Sequence, residues 1–205
     1  MMPSNILPKD FYTREDVLTI SKELLGKYLV TNFDGEKTVG KIVETEAYRA
    51  PDDKACHAYN NRYTERTKTM FGEGGVAYVF LCYGIHHLFN IVTGKEDMAH
   101  AVLIRAIEPI ENLPKMLERR NFDQVKSQLT AGPGVMSKAL GIKTTHTGYD
   151  LCLPNSEIWL ESRDQMLNED QIIASPRVGV AYAEECAAWP WRFRIKDSRW
   201  TSPAK

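Results

Sequence analysis

The sequence predicts an α+β fold with mainly antiparallel strands, on three observations. Two pairs of β-rich runs are joined by short turns, around Asp34-Gly35 and around Tyr83-Gly84. An amphipathic helix opens the chain, and hairpins outnumber strand-helix-strand units, which argues against a parallel sheet. In chain order, Thr13-Arg14-Glu15-Asp16 has the form of a capping box with Asp in place of Glu, and Val17, Ile20, Leu24 and Leu25 then recur at helical spacing until Gly26. "YLVTNFDGEKTVGKIVETEAY" reads as two strands, because Asp-Gly is a strong signal for a tight hairpin turn. Strand side chains alternate with period two, so Ile42, Glu44, Glu46 and Tyr48 share one face, with Glu46 near the strand end. Arg49 to Lys68 is polar with little periodicity. "GGVAYVFLCYGIHHLFNIV" forms the second hairpin with Tyr83 near its tip. "HAVLIRAIEP" is a buried type of strand carrying Arg105, and "GPGVMSKALGI" is a short helix with Pro133 at its start. "IWLE", "QIIAS" and "RVGVAYA" complete the strands.

With 205 residues, 43% hydrophobic and 26% charged, the chain can bury a sizeable core without disulfides or metal, and residues 1–205 read as one domain. No apolar run approaches the roughly 20 residues that cross a bilayer. The start, "MMPSNILPKDFYTRED", has neither a basic segment nor an apolar core of an export signal. Cys56, Cys82, Cys152 and Cys186 form no paired framework, as expected in a reducing compartment. Net charge is −1, which on its own argues against a nucleic-acid partner, but the charges cluster. Between Asn112 and Lys143 the basic residues Lys115, Arg119, Arg120, Lys126, Lys138 and Lys143 outnumber Glu118 and Asp123. Between Asp150 and Asp170 only Arg163 faces Asp150, Glu157, Glu161, Asp164, Glu169 and Asp170, and the tail from Arg177 to Lys205 is basic again. Faces of opposite sign and a mixed solvated surface both fit this pattern.

Several familiar chemistries are excluded by motif. No Gly-rich loop ends in Gly-Lys-Ser/Thr, no Gly-x-Gly-x-x-Gly follows a strand, and no Gly-x-Ser-x-Gly offers a nucleophile elbow. Cys56-His57 and the group Cys82, His86 and His87 lack zinc-ligand spacing, and the zinc deaminase signature is missing. What remains is a carboxylate at a strand end, aromatics, a histidine, and an arginine inside an apolar strand.

Five segments carry these residues: "VETEAYRAPDDKACHA", "MFGEGGVAYVFLCYGIHHLFNIV", "VLIRAIEP", "LTAGPGVMSKALGI" and "PRVGVAYAEECAAWPWRFRIKDSRWTS". In order and spacing they resemble the 3-methyladenine (alkyladenine) DNA glycosylase family over nearly the whole chain. The resemblance implies a curved, mainly antiparallel sheet flanked by helices, with a protruding hairpin. It also implies a monofunctional enzyme that flips an alkylated or deaminated purine out of duplex DNA and hydrolyses its N-glycosidic bond. Chemistry on a stacked base requires such extrusion.

By the same resemblance Glu46 is the general base for water, and Arg105 lies near that water and the target phosphate. Tyr48, His57 and Phe80 sandwich the flipped base, whose positive charge when alkylated favours aromatic faces. Asn90 lies beside the base, where its amide would clash with the exocyclic amino group of guanine. Tyr83 enters the minor groove and fills the gap left by the extruded nucleotide. Phe80 departs from the family pattern, in which the better-known members carry Tyr. Glu44 matches the pattern without a derivable role; it either faces solvent or holds a neighbour. No lysine matches a nucleophile position, so water attacks, and no metal or cofactor is implied. The implied partner is damaged double-stranded DNA and no membrane, acted on by a monomer in the cytoplasm, nucleoid-associated if bacterial. Two other readings compete: a non-catalytic nucleic-acid-binding module of related fold, and a small-molecule nucleoside hydrolase, which would need neither the Tyr83 wedge nor a basic patch.

Overall fold

The first hairpin consists of β1 (Tyr28–Phe33) and β2 (Glu36–Tyr48), and the residues between them, Asp34 and Gly35, have φ of 54° and 79°. Two successive left-handed residues make the tight turn whose twist matches the strands, and Asp and Gly adopt it with little strain. The molecule, a computed structural model describing residues 5–163 and 167–202, adds β3 (Ala77–Cys82), β4 (His86–Thr93), β5 (His100–Glu111), β6 (Ile158–Glu161), β7 (Ile172–Ser175) and β8 (Arg192–Ile195). Every pairing is antiparallel, in the order β3-β4-β5-β2-β1-β6, with β8 on β2 and β7 on β8. The expected α+β class, with a mainly antiparallel curved sheet, is the observed one. Asp164 and Lys205, which contribute to the charged stretches, lie outside the described residues.

β2 is the pivot. Its first half pairs with β1, its Glu44–Glu46 segment pairs with β8, and β5 runs along its other edge with bulges between Ile42 and Glu44 and between Glu44 and Thr45. Bulges bend a strand and raise its twist, so the sheet changes neighbours and curves at the two glutamates. One sheet face, with Phe89, Ile91, Val102 and Ile104, packs the main core against Ile20 and Leu24 from α2 (Val17–Glu23) and its following turn, and Met136 and Leu140 from α4 (Pro133–Leu140). The other face carries Tyr78, Val92 and Ala101, and Ala50, Cys56, Ala58 and Met70 from the chain between β2 and β3 close a second, smaller core over it. The polar stretch from Arg49 to Lys68 is irregular as expected, with a 3-10 turn at Tyr59–Asn61.

Several expectations are corrected. The cap of α2 is Asp16 and not Thr13: Asp16 Oδ1 accepts from Leu18 N at 2.9 Å and Thr19 N at 3.2 Å, while Thr13 ends the short α1 (Lys9–Tyr12). The helix closes at Glu23, before Gly26. "RVGVAYA" is not a strand; a loop leads into a 3-10 segment over Ala181–Ala188. The cause is partly tertiary: Gly179 has φ of 77°, and Val178 N donates to the distant Glu46 carboxylate instead of to a strand neighbour. The true last strand is "RFRI", and α3 (Leu113–Arg120), whose N-cap Asn112 accepts from Lys115 N, was also unforeseen.

The second hairpin protrudes as expected. Cys82 pairs with His86, leaving Tyr83, Gly84 and Ile85 as the tip, with Tyr83 90% and Ile85 71% exposed. Tyr83 also adopts φ of 50°, uncommon for an aromatic residue. A ring this exposed adds little packing energy to the fold.

Candidate active site

Strand register aligns the site. Arg192, Glu46, Leu103, Asn90 and Tyr78 lie opposite one another in a row across β8, β2, β5, β4 and β3, so the side chains of these five emerge on one face. Two residues along the same strands bring Tyr48, Arg105, Leu88 and Phe80 to the same side. The result is a cavity of about 560 Å³, with Glu46, Tyr48, His57, Phe80, Asn90 and Arg105 among its lining and Tyr83 at its edge. The seven residues Glu46, Tyr48, His57, Phe80, Tyr83, Asn90 and Arg105 singled out from the sequence therefore meet at one cavity, whose volume is within the range of small-molecule sites.

Glu46 is fully buried. Its Oε1 accepts from Val178 N at 2.8 Å, and its Oε2 accepts from the Tyr48 hydroxyl at 2.8 Å and faces Arg105 Nη1 at 3.3 Å. A carboxylate offers about four lone-pair sites, so at least one on Oε1 stays free for a further donor. Desolvation, and then the Glu46 charge, push the Tyr48 hydroxyl well above its usual range, so it remains a donor.

Glu44 does not face solvent. It is fully buried, and its Oε1 accepts from Arg105 Nε at 2.8 Å, Arg192 Nε at 2.7 Å and Ser202 Oγ at 2.8 Å, while its Oε2 accepts from Ser202 N at 2.6 Å. Burial acts to raise its pKa, and the Arg105 charge, the Ser202 amide and the Arg192 charge outweigh that, leaving the carboxyl below its ordinary value. Its role is to clamp the arginine that touches Glu46. Arg105 itself, 6% exposed, bridges the two carboxylates. Burial lowers its pKa and the two carboxylates more than compensate, so it is held charged.

A second buried pair backs Tyr48. Arg177 binds Asp53 through two hydrogen bonds of 2.5 and 2.7 Å, donates to Ala47 O at 2.8 Å, and holds its guanidinium 4.8 Å from the Tyr48 ring centroid. Three buried carboxylates, on Glu44, Glu46 and Asp53, thus face three buried guanidinium groups, on Arg105, Arg192 and Arg177, as charges withdrawn from water require. The sequence reading missed Asp53, Arg177, Arg192, Ser202 and the Val178 amide. Arg192 carried the same signal as Arg105, a charge inside an apolar run ("WPWRFRI"); Asp53 lies in a polar stretch that offers none, and Arg177 stands at the start of the apolar run "RVGVAYA", where an arginine reads as a strand end.

His57 meets the Phe80 ring edge-on at 4.6 Å, and its Nδ1 lies 2.9 Å from the Tyr78 hydroxyl. Desolvation, with the Arg66 charge second, pushes His57 down to about 4. An unfolded histidine takes up its proton near pH 6.5, so its folded state loses stability as pH falls from about 6.5 toward 4. We expect the His57 ring carbons, followed by NMR, to stay in the neutral position from pH 8 to about 5; a midpoint between 6 and 7 would refute the desolvated setting. Asn90 donates through Nδ2 to Tyr78 O and Leu88 O, each at 3.1 Å, so the orientation of the amide is fixed. Among the described residues no three His, Cys, Asp or Glu side chains converge to hold a metal ion, and Cys82 and His86 face each other across the hairpin. No helix among them is long and apolar enough to cross a membrane.

The family model for methylpurine-DNA glycosylase matches residues 10–199. A protein of Chlamydia felis is 47% identical over 197 residues, covering 95% of this chain and 99% of its own. Proteins of Clostridium novyi and Alkaliphilus oremlandii are 44% and 45% identical over 203 residues, each covering 96% of this chain and 98% of its own. All three are assigned by name as 3-methyladenine DNA glycosylases. With a buried glutamate at the floor of an aromatic cavity and a match over almost its full length, the chain belongs to the methylpurine-DNA glycosylase family, whose members are DNA N-glycosyl hydrolases of the 3-methyladenine type.

Proposed function

We propose that this protein is a monomeric base-excision enzyme that flips alkylated or deaminated purines, such as 3-methyladenine, out of duplex DNA and hydrolyses their N-glycosidic bond with water. The observation that carries the reading is Glu46, buried, with a free lone pair, in a cavity lined by Tyr48, His57 and Phe80. The C1′–N bond of the flipped nucleotide breaks with its electron pair going to the base, and the sugar develops oxocarbenium character that the carboxylate stabilises. Water attacks C1′, Glu46 takes its proton, and an abasic site remains. An alkylated purine leaves as a neutral base because its positive charge is quenched by that pair. Arg105 holds Glu46 in place and adds positive charge toward the backbone of the target nucleotide. Asn90 excludes guanine by blocking its exocyclic amino group. The enzyme acts on chromosomal DNA in the cytoplasm, within the nucleoid if its source is bacterial, and all of residues 1–205 serve this one domain.

A release assay tests the reading. Base release from a duplex carrying one 3-methyladenine or 7-methylguanine, and none from the free nucleoside, is the expected result. Binding without release would favour the non-catalytic module, and release from the nucleoside would favour the small-molecule hydrolase.

Tyr83 provides a second test, because its contribution depends on how firmly the target nucleotide is stacked. Tyr83→Ala removes the wedge and leaves Glu46 and the aromatic cavity intact. Excision from a paired duplex should fall more than excision from a mispaired or bulged site, where little unstacking remains to be offset. Tyr83→Phe should change little, since the ring fills the gap. The ratio of single-turnover rates for one lesion in both contexts decides it: equal losses with an intact thermal melt would remove the wedge role.

A further inference from the structure

The aromatic cavity is not empty of charge. Arg66, an exposed residue on the segment that covers the cavity, holds its guanidinium carbon 5.1 Å from the Phe80 ring centroid and its Nη2 3.1 Å from His57 Nε2. It thus lies over a ring on which the flipped base is proposed to stack, and spends a hydrogen bond on the other. An adjoining cavity of about 470 Å³, which also borders on His57 and Arg66, offers the side chain room to withdraw, beside Tyr59, Arg62 and Thr64. Charged groups near that room are Arg62, Lys54, already paired with Glu184 and Glu185, and Glu65, paired with Lys68. No acid therefore holds Arg66 in either position among the described ion pairs.

We propose that Arg66 is a specificity-determining residue: a resident cation that occupies the base pocket between turnovers and must be displaced by the incoming base. This rests on the base pocket described above. A pocket whose competent form is only partly populated binds more weakly by that fraction, so Arg66 suppresses occupancy by every base. The cost of displacing the guanidinium is the same for every base, whether normal or damaged. A cationic lesion gains the cation–π attraction that Arg66 gives up, but meets residual repulsion while the guanidinium is still near. Removing Arg66 should therefore help all bases, and cationic ones most.

The test uses the full-length chain with Arg66→Ala and Arg66→Lys, each also combined with Glu46→Gln to hold the lesion uncleaved. Duplexes containing 7-methylguanine (cationic), hypoxanthine (neutral) or no lesion are titrated, with pocket occupancy read from the His57 ring signals by NMR. For Arg66→Ala we expect about three- to tenfold tighter occupancy for both lesions, with the larger gain for 7-methylguanine, and a higher excision rate from undamaged duplex. Arg66→Lys, which keeps the charge without the planar face, should lie between wild type and Arg66→Ala. Weaker binding to all three duplexes, with the salt slope reduced by about one, would make Arg66 a phosphate contact and overturn the proposal. Unchanged occupancy, or equal gains for cationic and neutral lesions, would overturn it too. A wild type that releases no base defeats the proposed glycosylase activity, whereas the titration still decides the place of Arg66.

Discussion

Glu46→Gln is expected to lower single-turnover excision by roughly 100- to 10,000-fold while duplex binding persists, the range set by loss of a positioned general base. The substitution keeps the shape of the side chain but changes three contacts. Val178 N and the Tyr48 hydroxyl both donate to Glu46, and a glutamine can accept through only one atom, so one donor faces an N–H group. Arg105 also loses one of its two carboxylates. Some loss of stability therefore accompanies the loss of rate, and a thermal melt at the assay temperature separates them. A folded Glu46→Gln protein with near-normal rates would remove Glu46 from the chemistry.

The largest expected loss of stability is at Glu44. Glu44→Gln should destabilise the fold by about 3–5 kcal/mol, the range found when one partner of a buried ion pair is removed, because Arg105 would keep only Glu46 and Arg192 would lose the carboxylate it pairs with. For a chain of this size that lowers the melting temperature by roughly 6–20 °C. The pH dependence supplies a second reading. Glu44 is more acidic folded than unfolded, so its stabilisation is complete above the unfolded value near 4.3 and is lost as pH falls toward the lower folded value. The wild type should therefore lose stability more steeply than Glu44→Gln on acidification through that range. Activity of the variant, measured where it is still folded, should fall far less than for Glu46→Gln, since Glu44 acts through Arg105. A variant that melts like the wild type would show that the arginine cluster is held by other groups.

The contrast between the two glutamates shows where local information stops. Period-two alternation placed Glu44 and Glu46 on one strand face, and nothing in "VETEAY" tells them apart. A bulge at Glu44 and the arrival of β8 beside it decide that one carboxylate is locked among arginines and the other opens on a cavity. Both events involve residues about 60 and 150 positions away in sequence, Arg105 and Arg192 among them.

By itself the sequence determined the two hairpins, the α2 and α4 helices and the antiparallel class, because each rests on turn chemistry or periodicity within a few residues. It also determined the seven residues that line one cavity, through five ordered segments whose joint resemblance exceeds any single motif. Tertiary structure alone decided the rest. "RVGVAYA" has the composition of a strand, yet its backbone donor serves Glu46 and its Arg177 reaches Asp53, since a buried carboxylate needs partners more than a short edge strand needs a ladder. It likewise decided that Arg66 rests on Phe80 and His57: a polar loop has no period from which its landing place could be read, and only the assembled sheet supplies the rings it covers.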